Sequence, residues 1–471
     1  MSEGAIVLMG AGTVAKRDAD LLSSLFPERE IYLVKHDVKY PDHIAKSMQQ
    51  EARTKNPDVS QDEIELLTTW KKGEPVDVRT KELRQLFAWH PDKFGFYVAS
   101  GKPGSLESRI QRLEDNGLPV KGVVCHPAAF AAEVFKDTAR RQKLELLTDV
   151  ALAIDASPTG IDKRNVDEFY RPRNWKFCLN GGADGKLVNN RYFAGVLGTT
   201  ADYLCEEFRT ENSLIVSCNT HAVTTILALL QQTIAPATFG REYSDSTFRS
   251  LIRDINVTFL RRHEDPHTGK AKPEYMEIEA KQKHVAEMEY LLPATRGLIT
   301  TELSKTANEY FHTVLLDVNF HGPLDDKLVE KFCENVDRYP RTILARSGVS
   351  HEKTILAAGW SRLYDGDIPF PVSNIYKRGK YQIRVLMLTP QRGIVAPSTA
   401  DLALLRLGKA ETLQEAFKYT NEHGIYRKIP LLAIKHGVQD NLQNFNDRRE
   451  KPGYSTKIDD YLGIKIGGKL V

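Results

Sequence analysis

A cysteine between the end of an apolar strand and the start of a helix is placed to act as a nucleophile. Leu214-Ile215-Val216-Ser217-Cys218-Asn219-Thr220-His221 has this form, and Ala222 to Leu230 continue it in helical composition. The partial positive charge at a helix N-terminus favours the thiolate over a thiol whose unperturbed pKa is about 8.5. A lone cysteine also serves as a small buried hydrophobe. The strand, the helix and the polar neighbours Ser217, Asn219 and Thr220 favour the nucleophile, so Cys218 is expected to be the most reactive of the five thiols. His221 follows three residues later. On a helix their β-carbons are about 5–6 Å apart and the imidazole leans back toward the N-terminus, making His221 a candidate proton acceptor.

Two further groups suit anionic partners. Arg261 and Arg262 end an apolar strand pattern and can present planar, permanently charged forks to phosphate, although an arginine pair is also ordinary surface charge. At the other end of the chain, Ala5-Ile6-Val7-Leu8-Met9 runs into Gly10-Ala11-Gly12-Thr13-Val14-Ala15 and then a helical pattern with Ala19, Leu22 and Leu25. Gly10 and Gly12 allow a tight turn and close approach of backbone to a pyrophosphate, and Ala15 keeps the helix near the sheet. This predicts a dinucleotide site at Gly10, Gly12, Thr13 and Val14. At the end of the second strand, Lys35 suits the 2′-phosphate of NADP and Asp37 the ribose of NAD, so both cofactors stay open. Cys125-His126 and the loop His263 to His267 lack further ligands at metal-binding spacing, and no metal is expected. His312 precedes an apolar strand and reads as structural, with a reserve role as a base.

Strands and helices alternate through the first half of the chain, with apolar runs at Ile31-Tyr32-Leu33-Val34, Phe96-Tyr97-Val98, Val123-Val124 and Val150 to Ile154. The fold class expected is α/β: a Rossmann-type doubly wound dinucleotide-binding domain over residues 1–217, plus an α+β catalytic domain over 218–395. A polar helical insertion is read at about 42–91, with a capping-box pattern from Ser60 to Glu63. Residues 396–471 are read as a segment returning to the dinucleotide domain, with a second capping box from Thr412 to Glu415, a glycine stop at Gly424 and a polar tail. Strands are expected around 257–260, 313–320 and 381–388. The chain has 471 residues, 65 basic against 62 acidic, and a net charge of +3, which gives no basis for nucleic-acid binding. An odd, scattered set of cysteines reads as reduced thiols. With no apolar run near the roughly 20 residues that span a bilayer, a cytoplasmic protein without a membrane partner is expected.

The motifs resemble those of the archaeal-type phosphorylating glyceraldehyde-3-phosphate dehydrogenases. Gly10 to Arg17 is similar to their Gly-x-Gly-Thr-x-Gly-Lys-Arg, Asp155-Ala156-Ser157-Pro158-Thr159-Gly160 to their Asp-Ala-Thr-Pro-x-Gly, and Asn180-Gly181-Gly182 to their Gln-Gly-Gly. Ser217-Cys218-Asn219-Thr220 resembles their nucleophile motif, and Arg261 to Pro266 their Arg-Arg-Gly-Ala-Asp-Pro, all in family order across about residues 4–407. The resemblance implies oxidation of a phosphorylated aldehyde through a cysteine thiohemiacetal and thioester, with inorganic phosphate releasing an acyl phosphate. It implies NADP or NAD as cofactor and a homo-oligomer, most simply a tetramer. It also places Gly182 and Thr399 by the cofactor, His284 at a phosphate site, and Asn219, Thr220, Arg261 and Arg262 by substrate and phosphate.

The match departs at residues that bear on catalysis. Leu298 stands where the family carries its general-base histidine, His221 where it has a threonine, and Thr399 where it has an asparagine. Proton transfer is therefore expected to pass to His221 or His284. Two other readings stay open: a related aldehyde or semialdehyde dehydrogenase, and a catalytically inactive dinucleotide-binding homologue.

Overall fold

The computed structural model describes residues 4–10, 13–34, 94–99, 106–115, 118–124, 130–131, 142, 144–157, 161–180, 184–236, 241–262, 276–279, 283–306, 311–345, 370–390, 393–425 and 464–466. The expected insertion at 42–91 and nearly all of the tail lie outside this set. So do Gly12, Lys35, Asp37, Gly182, Cys125, His126, His263 and His267. The chain divides into two compact units, residues 1–190 with 264–271, and residues 191–263 with 272–471.

In the first unit, β1 (Ala5–Met9), β2 (Ile31–Val34), β3 (Phe94–Ala99), β4 (Val120–Val124), β5 (Glu145–Leu146), β6 (Val150–Asp155) and β7 (Phe177–Asn180) lie in the order β5-β4-β3-β2-β1-β6-β7. All their pairings are parallel. Their short apolar runs are what a sheet covered on both faces requires, and β1 and β2 are buried at every residue. The chain leaves β1 in one direction along the sheet and β6 in the other. This is the doubly wound α/β arrangement, and its switch point lies at the carboxyl ends of β1 and β6, where such sheets bind nucleotides.

The second unit opens with the parallel pair β8 (Tyr192–Phe193) and β9 (Ser213–Ile215). It then builds a mixed sheet from β10 (Ile252–Arg262), β11 (Met276–Glu279), β12 (Ile299–Thr306), β13 (Phe311–Phe320), β14 (Ile343–Ala345), β15 (Val372–Arg378), β16 (Gln382–Pro390) and β17 (Ile464–Ile466), in the order β11-β12-β10-β13-β16-β15-β14-β17. Helix Cys218–Ile234 packs on β13 and β16 and against helices Arg241–Leu251, Lys283–Leu291 and Asp326–Arg338. It is buried nearly all round, which is why its sequence carries apolar residues without a polar stripe.

Residues 191–217 and 396–425 fall in the second unit, whereas the sequence reading drew its boundary at 217/218 and returned the segment after 395 to the dinucleotide domain. The reason is polar: helix Ala396–Arg406 is tied to Gly195 and Arg341 through Ser398 and Asp401. The capping box is formed, with the Thr412 hydroxyl accepting from the Glu415 backbone and the Glu415 carboxylate accepting from that of Thr412. Gly424 lies inside a wider helical turn, Thr420–Ile425, at the end of that described segment.

Candidate active site

In the first unit, Gly10 stands at the switch point of the sheet. Gly10 ends β1 with φ +96°, donates to Val34 O at 3.0 Å, and lies so close to the chain after β6 that a β-carbon would stand 3.1 Å from the Ala156 carbonyl. Only glycine combines that conformation with that clearance. Helix Thr13–Leu25 then begins, with Val14 half-buried and Ala15 fully buried at the third motif position. Helix N-terminal amides beside a switch point make a pyrophosphate cradle. Across it, Asp155 pins the loop after β6: its carboxylate accepts from Ser157 N (2.8 Å), Asn165 Nδ2 (2.9 Å) and Tyr170 OH (2.7 Å). Burial raises the Asp155 carboxyl above its ordinary range, opposed by these donors, and burial with the nearby Asp155 charge raises Tyr170.

In the second unit, Ser217 caps the helix that Cys218 opens, its hydroxyl accepting from Thr220 N at 3.5 Å. Cys218 is partly exposed, as a nucleophile must be, while Asn219, Thr220 and His221 behind it are buried. His284, on helix Lys283–Leu291, brings Nδ1 within 3.1 Å of both Ser217 Oγ and Thr220 Oγ1. The same helix carries Glu287, fully buried, whose Oε2 accepts from Thr220 Oγ1 at 2.6 Å. Phe259 of β10 packs on the His284 ring, centroids 5.2 Å apart. Arg261 lies two residues further along β10, on the same face of that strand as Phe259. Arg262 ends the strand, and its side chain lies outside the described residues.

His221 has a different setting. Its Nε2 is 2.7 Å from Ser398 Oγ, which also accepts from Gly195 N at 2.9 Å. Burial, and secondarily the Arg341 charge, lower its pKa from 6.5 to about 3. Arg341 forms a buried bidentate pair with Asp401 (2.5 and 2.9 Å), donates to Gly195 O, and stacks over Phe417. Thr399 is fully buried and donates to Val395 O at 3.2 Å. Leu298 sits in the turn leading to β12, where its carbonyl accepts from Ile255 N. His312 is buried in β13. Among the described residues no three His, Cys, Asp or Glu side chains stand in metal-binding proximity, and no helix is long and apolar enough to cross a membrane.

Sequence reasoning thus named Cys218, Thr220 and His284 separately, and the structure joins Ser217, Thr220, His284 and Glu287 into one hydrogen-bonded group. Glu287 was missed, although the His284-x-x-Glu287 spacing on a helix was there to be read.

No protein-family model matches the chain. It is 23% identical over 325 residues to the glyceraldehyde-3-phosphate dehydrogenase of Methanocaldococcus jannaschii, covering 67% of this chain and 81% of the relative. The chain resembles the archaeal glyceraldehyde-3-phosphate dehydrogenases. The enzyme of that name from Methanopyrus kandleri is 27% identical over 172 residues, 36% of this chain and 37% of its own. A crystal structure of aspartate semialdehyde dehydrogenase II from Vibrio cholerae covers 66% of this chain and 98% of its own at 11% identity, with a TM-score of 0.42.

Proposed function

We propose that the chain is an NAD(P)-dependent aldehyde dehydrogenase that oxidises glyceraldehyde 3-phosphate with inorganic phosphate, using Cys218 as nucleophile and His284 as the acid and base. The observation that carries this reading is the contact of His284 with Ser217 and Thr220, the residues that form the helix start around Cys218. A thiolate there adds to the aldehyde carbon to give a thiohemiacetal, and loss of hydride leaves a thioester that phosphate cleaves. A nicotinamide dinucleotide, when bound, supplies the hydride acceptor. His284 takes the hemiacetal proton in that step. It is preferred to His221 because a group with a pKa of about 3 is poorly matched to proton transfer near neutral pH. Arg261 and Arg262 hold phosphate groups, and Asn219, buried with its side-chain oxygen unpartnered, has an acceptor to offer a substrate hydroxyl.

Gly10, Gly12, Thr13 and Val14 hold the pyrophosphate in this reading, with Lys35 and Gly182 completing the cofactor site. Thr399 is less suited to that role because its hydroxyl serves its own helix. A homo-oligomer is favoured by the exposed Tyr376, Tyr381 and Leu386 of the β15–β16 hairpin. Cys178, Cys205, Cys218 and Cys333 carry no disulfide, which suits a reducing cytoplasm. The reading is tested by steady-state rates with glyceraldehyde 3-phosphate and aspartate semialdehyde, each with NAD and NADP, with and without phosphate. Phosphate-dependent turnover of the former supports it. Preference for the semialdehyde transfers the mechanism to another substrate, and cofactor binding without turnover of either rejects catalysis.

A further inference from the structure

We propose that Glu287 is a positioning residue: acting through the Thr220 hydroxyl, it holds His284 with its proton on Nδ1 and so leaves Nε2 as the proton-accepting atom. The inference rests on the reading of His284 as the base, and on the hydrogens and lone pairs of one hydrogen-bonded group.

Thr220 has one hydroxyl hydrogen, and it goes to Glu287 Oε2 at 2.6 Å. The other carboxylate oxygen stands 3.7 Å from the Lys283 ammonium, which favours the ionised, acceptor-only form. Thr220 Oγ1 therefore has only lone pairs left for its two other neighbours, Ser217 Oγ and His284 Nδ1, each at 3.1 Å. A bare Nδ1 could accept the Ser217 hydrogen, but it would still set its lone pair against Thr220 Oγ1 at 3.1 Å and against Glu287 Oε2 at 3.9 Å. An Nδ1–H meets acceptors in all three directions: Thr220 Oγ1, Ser217 Oγ and the carboxylate. Ser217 then gives its own hydrogen to Thr220 Oγ1, and every donor in the group has an acceptor. Phe259 packs on the ring and fixes its plane, so the choice of tautomer decides which nitrogen is left to accept. When His284 is protonated, Nδ1–H remains where it was and the Glu287 charge offsets the new positive charge. Helix Lys283–Leu291 carries Lys283, Glu287 and Glu289, and β10 carries Arg253, Asp254, Arg261 and Arg262; of these, Glu287 stands 3.9 Å from Nδ1 and is itself paired with Lys283.

The test is the tautomer, read by long-range 1H–15N NMR on the ligand-free, 15N-histidine-labelled protein, with His284→Asn assigning the signals. The wild type should show His284 in the Nδ1–H form. Thr220→Val, which deletes the relay while keeping its shape, and Glu287→Gln, which lets an amide donate to Thr220, should each reduce that preference. Thr220→Ser should restore it. In an active enzyme, Thr220→Val and Glu287→Gln should lower kcat by about tenfold or more and move the acid limb of its pH profile, while Thr220→Ser does neither. An Nε2–H wild type, or an unchanged tautomer in both Thr220→Val and Glu287→Gln, overturns the proposal even if the enzyme is active. A protein with the Nδ1–H form and the expected mutant shifts, yet without dehydrogenase activity, would retain the relay and reject the functional reading.

Discussion

Acid should weaken the second unit through His221. Burial and the neighbouring Arg341 lower its pKa from 6.5 to about 3, so between these values the unfolded chain binds a proton that the folded chain does not. Stability then rises with pH across this window and is lost as pH falls below about 6.5, at about 1.4 kcal/mol per unit. From pH 7 to pH 5 the loss is about 2 kcal/mol. Asp202 acts in the opposite sense: burial raises its pKa from 3.8 to about 6, so the folded state takes up its proton first. That returns about 1 kcal/mol over the same interval. The raw pH dependence mixes both groups, and His221→Gln isolates the first, since the amide can still bond Ser398 but cannot titrate. Urea unfolding midpoints at pH 7 and pH 5 should show the wild type losing about 2 kcal/mol more than His221→Gln. Equal losses in the two proteins would exclude His221 as their source.

Asp401→Asn leaves Arg341 buried without its counter-charge, and should cost about 3–5 kcal/mol in urea unfolding. Gly195→Ala drives a β-carbon into the Asp401 carboxylate, against the Arg341 pair, and should cost about 1–3 kcal/mol in the same assay. Light scattering should return a mass that is a multiple of the 53.2 kDa chain, a tetramer by preference, and a single-chain mass would reject the oligomer.

The parts of this molecule that were legible in the sequence are those built from near neighbours. The strand Ala5–Met9 and the helix from Thr13 are each announced by their own consecutive residues, and Gly10 is demanded by a backbone conformation that its type announces. The helix start at Cys218 was equally local, because Ser217 and Thr220 cap it from three residues apart. What was not legible depends on distant residues meeting. His221 bonds Ser398 from 177 positions away, so helix geometry gave its spacing from Cys218 but not its burial or the charge beside it. His284 and Glu287 lie 64 and 67 positions from Thr220, and only packing of the two helices reveals that they form one group with it. The second sheet was seen in part: β10, β13 and β16 read as strands, whereas β14, short and paired to β15 and β17 across long separations, gave no periodic signal.

The central claim, that Cys218 carries the substrate through hydride transfer, is tested most directly in a single turnover without inorganic phosphate. Glyceraldehyde 3-phosphate and excess NAD or NADP are mixed with the protein, absorbance of the reduced nicotinamide is followed, and the quenched protein is mapped by peptide mass. The expected result is a burst approaching one equivalent of reduced cofactor per active chain, an acyl group on the peptide containing Cys218, and its release when phosphate is added. No burst and no adduct, or an adduct on another cysteine, would contradict it.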